Sequence, residues 1–270
     1  MARDAELFVA VGKKKAGKTR ATMEKYLFPA IRGNPPRRVL IFDTHDEYGE
    51  FGIKTLPADK IGLFALHPQV EMRRVLPYRP DGREMSSDEK VLVVQHILDY
   101  FYKGVVVFED INEFIFDYMP GDVIGSILSQ RHDGIDVILH YHGLDAIHKK
   151  VWRHIDNLRI HKCESTVVDN KDKFPGKFEL FQLSENIVNN EFNKGKRFFN
   201  LEIRTGTQKI YAAIDEEARD KAIEDYLKFH GQKRIKLLTD SRDRTNNKLY
   251  NYSQAFDMER ERIIETYFME

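Results

Sequence analysis

Short, uninterrupted apolar runs alternate along most of the chain with segments whose apolar residues recur at helical spacing. Runs of this kind are typical of strands in a parallel sheet that is covered on both faces. Strands are predicted, in chain order, at residues 7–11, 39–42, 70–76, 105–108, 136–142 and 158–163. Helices are predicted between them at residues 18–27, 88–102, 124–131 and 144–154, and Ser87 is expected to cap the second of these. The alternation predicts an α/β fold with a mostly parallel central sheet flanked by helices.

The C-terminal part of the chain has a different order of elements. It is predicted to contain a helix at 178–191, a small β-hairpin with strands at 198–203 and 208–214, and helices at 216–229 and 254–268. No internal repeat interrupts this pattern. We therefore expect a core domain over residues 1–215 and a helical extension over residues 216–270.

Composition limits the class of protein. Hydrophobic residues make up 41% and charged residues 32%, which is typical of a soluble globular chain. The 43 basic and 43 acidic residues balance, so no global field points to nucleic acid, although a local basic surface remains compatible with neutrality. No apolar run reaches the roughly 18 residues of a membrane helix, and no signal peptide precedes the first strand. The single Cys163 suits a reducing cytosol, so we expect a cytoplasmic or virion-associated protein.

The most specific motif is G-x-x-x-x-G-K-T at residues 12–19, between a predicted strand and a predicted helix. Gly12 and Gly17 allow the backbone to approach a phosphate closely, and the N–H groups of the loop then surround it. Lys18 reaches the β- and γ-phosphates, and the Thr19 hydroxyl ligates magnesium. The motif predicts a P-loop that binds ATP and Mg²⁺. The residues expected to contact the nucleotide are Gly12, Lys13, Lys14, Lys15, Ala16, Gly17, Lys18, Thr19, Arg20 and Asp43.

An acidic pair follows the predicted strand at 105–108. Acidic side chains directly after a buried strand lie at the carboxyl edge of the sheet, where ligands bind in such folds. The order is Glu109 then Asp110, the reverse of the usual one. We expect Glu109 to hold magnesium together with Thr19, and Asp110 to orient the attacking water, while the reversed order leaves this division of roles open.

A second acidic segment, residues 43–49, follows the strand at 39–42 and contains three carboxylates. At least one of them is expected to face the nucleotide. Asp43 is the best placed, because it comes directly after the strand. The alternative for Asp43 is a capping role in the turn that follows.

Several segments around these sites resemble one family. Residues 41–48, IFDTHDEY, resemble the D-P-H-G-E-Y segment of the FtsK–HerA superfamily of nucleic-acid-pumping ATPases. Residues 131–139, RHDGIDVIL, resemble the R-H-x-G-x-D-I segment of its zonula-occludens-toxin-like (Zot-like) branch, and residues 144–153 resemble that branch's L-I-D-x-x-V-R helix. The resemblance implies a RecA-like P-loop core, usually hexameric, that couples ATP hydrolysis to movement of DNA.

The resemblance also implies roles for two further residues. His142 falls near the family's strand-end glutamine, which senses the γ-phosphate, and a histidine can also hydrogen-bond phosphate. Arg131 lies near the position of a family arginine that can reach a neighbouring subunit's γ-phosphate, and a surface arginine paired with Asp133 or Asp136 is an equal alternative. Zot-like proteins usually carry a membrane span after the ATPase domain. The lack of one here favours a packaging or transfer ATPase.

Two groups of residues have weaker signals. His140 and His142 share a face of one strand and could bind zinc, but no third ligand stands at matching spacing, so a solvated or phosphate-facing cluster is favoured. DNA contacts in a ring would come from basic residues that face its pore. The candidates are Lys149, Lys150, Arg153, Arg159, Arg73, Arg74, Arg79 and Arg83.

The favoured function is an ATP-hydrolysing motor that moves DNA during packaging or transfer of the genome of a virus or mobile element. Its expected partners are DNA, further copies of itself in a ring, implied to be hexameric, and viral capsid or portal-vertex proteins. The alternatives are a Zot-like phage assembly or extrusion ATPase, a small-molecule kinase with an arginine lid, and a non-catalytic scaffold that binds ATP. A GTP-dependent switch is rejected, because residues 170–173 carry lysine where a guanine reader needs aspartate.

Overall fold

The computed structural model describes residues 5–114, 121–129, 134–174 and 176–268. The chain forms two compact units, Met1–Arg159 and Ile160–Glu270. The sequence predicts a domain boundary after residue 215, and this boundary stays a prediction.

The first unit is built on a mostly parallel sheet, whose last strand crosses the boundary between the units at Arg159. The strands are β1 (Leu7–Val11), β2 (Arg38–Phe42), β3 (Met72–Val75), β4 (Gly104–Phe108), β5 (Asp136–Tyr141) and β6 (Asn157–Ile160). Their order in space is β3-β2-β4-β5-β1-β6, and the neighbours from β3 to β1 pair in parallel. All residues of β1, β4 and β5 are buried, which explains the uninterrupted apolar runs of β1 and β4. Strand β5 also buries two polar residues, Asp136 and His140. Strand β5 lies between β4 and β1, so the residues at its end lie beside both the P-loop and the acidic pair.

The helices of this unit pack around that sheet. They are α1 (Lys18–Thr22), which continues through a π-helical turn at Met23–Leu27 into α2 (Phe28–Arg32), then α3 (Ile61–Leu66), α4 (Ser87–Tyr100), α5 (Gly121–Ser129) and α6 (Lys149–Trp152). Leu27 from the π-helical turn is fully buried in one apolar cluster with Val39 of β2 and Val107 of β4. This packing fixes the helix that follows the P-loop against the sheet.

Two helix starts differ from the prediction. The cap of α4 is Ser86, not Ser87: the Ser86 hydroxyl accepts from the backbone N–H of Glu89, and the Glu89 carboxylate accepts from the backbone N–H of Ser86. Within the predicted helix 144–154, only α6 is helical. His148 is extended, and its Nδ1 accepts from the backbone N–H of Lys150 at 3.1 Å, so the helix begins after it.

The second unit contains α7 (Phe178–Asn193), β7 (Leu201–Arg204), β8 (Lys209–Tyr211), α8 (Glu216–Phe229), α9 (Gln232–Thr239) and α10 (Tyr252–Tyr267). Strands β7 and β8 pair antiparallel, which confirms the hairpin. The predicted α/β class is also confirmed, while α9 has no counterpart among the predicted elements. Among the described residues, no helix is both long enough and apolar enough to cross a membrane.

Candidate functional site

The P-loop joins β1 to α1 at the carboxyl edge of the sheet. Gly17 has a left-handed backbone with φ of 89°, which glycine adopts without steric cost. The Lys18 side chain is buried, and its ammonium donates to the Gly12 carbonyl oxygen at 2.8 Å. The loop therefore closes around a positive charge, as a phosphate site requires.

The other basic residues predicted to contact the nucleotide lie further out. Lys14 and Lys15 are exposed and Lys13 is half-buried. Arg20 is exposed and pairs with Glu24, with 2.9 Å between Nε and Oε1. Nucleotide contact by these residues and by Ala16 stays a prediction.

The Thr19 hydroxyl lies between two carboxylates. It is 3.0 Å from Oε1 of Glu109, and it also contacts Oε2 of Glu47. A hydroxyl has one proton to donate, so it satisfies only one of these acceptors at a time. The other carboxylate therefore has an oxygen beside Thr19 that a cation could share.

Glu47 reaches this position through a turn that Asp43 organises. Asp43 is fully buried, and its two carboxylate oxygens accept from the backbone N–H groups of Glu47 at 2.9 Å and Tyr48 at 3.1 Å. Arg74 pairs with the same carboxylate at 2.9 Å. The structure thus places Asp43 in the capping contacts, whereas Glu47 of the same acidic segment faces the P-loop. Nucleotide contact by Asp43 stays a prediction.

The surroundings of Glu109 fit a divalent cation. Burial, with the nearby Glu47 charge as the second cause, raises the pKa of Glu109 to about 8. A cation beside the carboxylate would favour its ionised form instead. The Thr19 hydroxyl and the carboxylates of Glu47 and Glu109 are oxygen donors, the type that Mg²⁺ prefers. These residues therefore fit the predicted magnesium site.

Asp110 occupies the same side of the sheet as Glu109, although consecutive strand residues point to opposite faces. Its backbone is left-handed, with φ of 40°, so the strand alternation ends there. Its Oδ2 lies 3.3 Å from Nε2 of His142 and 3.2 Å from Nε2 of His45. Burial raises the pKa of Asp110, and the Glu109 charge adds to that effect. The structure thus brings Asp110 and His142 together, and the catalytic role of each stays a prediction.

His140, two residues before His142 on β5, is fully buried. Its Nδ1 lies 2.5 Å from Oε2 of Glu109, an ion-pair distance at angles that fall short of a hydrogen bond. Burial lowers the pKa of His140 to about 3, so the ring is neutral near pH 7. The expectation of a solvated or phosphate-facing cluster is therefore wrong for this residue.

The remaining predicted residues do not join this cluster in the described structure. Arg131 lies outside the described residues, so its role stays a prediction. Arg74 and Arg159 are buried, and these two DNA-contact candidates are therefore wrong. Among the others, three lie in ion pairs, namely Arg73, Arg79 and Arg83. Four are exposed, namely Arg83, Lys149, Lys150 and Arg153.

Comparisons with known proteins give matches by structure alone. No protein-family model matches the sequence, and no characterised protein matches it. The chain is similar to the DNA-packaging ATPase B204 of Sulfolobus turreted icosahedral virus, at 15% identity over 78% of this chain and 97% of that one, with a TM-score of 0.52. It is also similar to the genome packaging NTPase B204 of Sulfolobus turreted icosahedral virus 2 in complex with sulfate, at 18% identity over 77% and 95% of the two chains, with a TM-score of 0.50.

A weaker likeness links the chain to the N-terminal domain of zonular occludens toxin from Neisseria meningitidis. The identity is 15%, the coverage is 60% of this chain and 79% of that one, and the TM-score of 0.37 supports no conclusion. At 15% and 18% sequence identity, the structural likeness to the two B204 proteins establishes the fold alone. The chain therefore has the fold of the viral genome packaging NTPase B204, in agreement with the FtsK–HerA-type P-loop fold that the sequence resemblance implies.

Proposed function

We propose that this chain hydrolyses ATP and uses the energy to move DNA, in packaging or transfer of the genome of a virus or mobile element. The observation that carries the proposal is the Thr19 hydroxyl at the end of a complete P-loop, held between the carboxylates of Glu47 and Glu109. Such a group of oxygen donors beside a buried lysine suits a magnesium-bound triphosphate.

Each residue of the site has a separate task in this proposal. Lys18 holds the β- and γ-phosphates, and the loop N–H groups surround them. Thr19 and Glu109 hold Mg²⁺, which when bound neutralises phosphate charge. Asp110 orients the attacking water and accepts its proton, and His142, 3.3 Å from Asp110, senses the γ-phosphate.

DNA is the proposed track because of the sequence resemblance to nucleic-acid pumps and the fold shared with B204, which is described as a DNA-packaging ATPase. We further propose that copies of the chain assemble into a ring, hexameric as in the superfamily. The ring would act at the capsid or portal vertex, in the host cytoplasm or on the virion. The Zot-like extrusion ATPase is a variant of the same proposal.

The test is ATP turnover of the purified chain, with and without double- and single-stranded DNA. Lys18→Ala should abolish turnover and weaken nucleotide binding, because it removes the cation paired with the phosphates. The exposed Lys233→Ala, which removes a positive charge in the second unit, should leave turnover unchanged. Circular dichroism checks that both variants fold.

The outcomes separate the candidate functions. DNA-stimulated turnover together with displacement of a strand or bound block from DNA supports the motor. Turnover of Lys18→Ala at the wild-type rate would contradict the assignment of the P-loop as the nucleotide site. Transfer of phosphate to a small molecule, without any response to DNA, would favour the kinase, and tight ATP binding without turnover would favour the scaffold.

A further inference from the structure

A line of four buried side chains runs from β6 to the acidic residue that follows β4. Arg159 Nη1 donates to Thr22 Oγ1 at 3.3 Å, and Thr22 Oγ1 lies 2.8 Å from His140 Nε2. His140 Nδ1 then faces Glu109 Oε2 at 2.5 Å. The exposed fractions are 2% for Arg159, 0% for Thr22, 0% for His140 and 1% for Glu109. Each member therefore interacts inside the protein, where polar contacts are strong and unpaired groups are costly.

The direction of this line is part of the proposal. A guanidinium only donates, so the Thr22 oxygen accepts from Arg159 and keeps one proton of its own. In the proposed direction the hydroxyl donates that proton to His140 Nε2, 2.8 Å away, and the imidazole accepts it there. A neutral imidazole that accepts at Nε2 carries its proton on Nδ1, the atom that faces Glu109.

We propose that Thr22 and His140 are positioning residues for the ATP site, and that the line holds the Glu109 carboxylate against the Thr19 hydroxyl. The proposal rests on the proposed function and deepens it, because Glu109 is the residue assigned to magnesium. Thr22 lies on α1, directly after the P-loop, so the line also ties the phosphate-binding helix to β5 and β4. Outer groups that orient a metal-ligating carboxylate commonly affect activity by about 10- to 100-fold.

The arrangement has a feature that packing alone does not require. Arg159 lies over the ring of Tyr26, with 4.5 Å between its guanidinium carbon and the ring centroid. Its side chain is thereby held in place on the helix side of the sheet, where it donates to Thr22. A purely apolar core could fill the same volume without a buried guanidinium, hydroxyl and imidazole that contact one another in a row.

The first experiment reads the His140 tautomer and does not depend on catalysis. Nitrogen-15 NMR of the wild-type chain at pH 7, with magnesium added to keep Glu109 ionised, should show the His140 proton on Nδ1. Thr22→Val, which removes the hydroxyl at nearly constant volume, should change the His140 ring shifts, and Thr22→Ser should leave them close to wild type. A proton on Nε2 of the wild-type ring would overturn the proposal, whether or not the chain hydrolyses ATP.

The second experiment separates positioning from packing by kinetics. Thr22→Val should lower kcat about tenfold with KM for ATP changed less than twofold, and Thr22→Ser should stay within about twofold of wild type. His140→Asn should likewise lower kcat about tenfold and change KM for ATP less than twofold. The double variant should be no slower than His140→Asn alone, because the two residues act in series.

The contrary results are distinct. Additive losses in the double variant, or equal losses in Thr22→Val and Thr22→Ser, would overturn the series arrangement. Wild-type protein with the expected tautomer but no hydrolysis would count against the proposed function and leave the buried line standing. If Thr22→Val fails to fold, the tautomer of the wild-type ring and the kinetics of Thr22→Ser and His140→Asn still decide the matter.

Discussion

At the scale of single residues, the two acidic side chains after β4 have different neighbours. Glu109 contacts the Thr19 hydroxyl, the group predicted to ligate magnesium, whereas Asp110 lies beside the imidazoles of His142 and His45. This separation supports the proposed roles despite the reversed order of the pair. Each of the two roles can therefore be tested by a separate substitution.

Asp110→Asn should retain ATP binding but lose hydrolysis by about a hundredfold or more, because an amide cannot accept the proton of the attacking water. Glu109→Gln should instead raise the magnesium concentration needed for half-maximal turnover. Both effects are measured by titrating magnesium in a turnover assay, with binding of a fluorescent ATP analogue as the control. An exchange of the two phenotypes would assign the roles the other way round.

The raised pKa of Glu109 predicts a dependence of stability on pH in metal-free protein. The folded chain holds this proton up to a pKa of about 8, whereas the carboxyl in the unfolded chain has its ordinary value of 4.5. Unfolding therefore releases a proton within that window. The contribution of Glu109 to the free energy of unfolding falls as pH rises, by at most about 1.4 kcal/mol per pH unit.

The measurement is urea unfolding in the presence of a chelator between pH 6.5 and 8. His140 adds an opposing slope that fades over this range, because its imidazole is half protonated at pH 6.5 in the unfolded chain and neutral in the folded one. Both proteins in the comparison contain His140, so the difference between their pH profiles reports Glu109. Glu109→Gln should lose stability less steeply with pH than wild type over this range. Parallel pH profiles of the two proteins would contradict the shift.

The site shows what the spacing of residues can and cannot predict at this scale. Lys18 and Thr19 follow from the motif, because the P-loop is a continuous segment whose geometry is local. Glu47 does not, because its approach to Thr19 depends on which backbone N–H groups the buried Asp43 accepts from. The sequence indicates only that one carboxylate of that segment turns towards the nucleotide.

At the scale of elements, the sequence predicts the buried strands well, since a strand covered on both faces must be apolar throughout. For this reason β1 has both of its predicted bounds, and β4 ends at its predicted last residue. Helix starts are set by individual side-chain bonds. Leu144, Ile147 and Val151 have helical spacing, but the extended His148 interrupts the helix between them.

The capping box of α4 gives a prediction at this scale. Ser86→Ala should lower the free energy of unfolding by about 1 kcal/mol, because it removes the acceptor for the N–H of Glu89. Ser87→Ala is the matched control, since this neighbouring serine lies inside the helix, and it should change stability by less than about 0.5 kcal/mol. Denaturant unfolding of both variants measures the difference. A larger loss in Ser87→Ala would restore the cap expected from the sequence.

At the scale of the whole molecule, the described site residues all belong to the first compact unit. Lys18, Thr19, Glu47, Glu109 and Asp110 come from three separate parts of the chain, and the parallel strand order brings them to one edge. Alternation of strands and helices is enough to predict such an edge. What lies across a subunit boundary depends on assembly, which strand patterns do not determine.

Arg131 carries the prediction about assembly, and it comes from the sequence resemblance. If this arginine acts on the γ-phosphate of a neighbouring subunit, turnover per chain should rise with protein concentration or with DNA that supports the ring. Arg131→Ala should lose hydrolysis on the order of a thousandfold and keep nucleotide binding, because the contact is made mainly in the transition state. Turnover and nucleotide binding are measured on the same preparation.

Mixed assemblies of Arg131→Ala and Lys18→Ala chains distinguish an arginine that acts between subunits from one on the surface. Some interfaces in a mixed ring join an intact P-loop from the first variant to an intact arginine from the second. Turnover that neither variant has alone should return in proportion to such interfaces. Because Lys18 acts within its own chain, no other pairing of the two variants restores a complete site. Absence of recovery, in rings shown by mass to be mixed, would favour an arginine that pairs within its own chain.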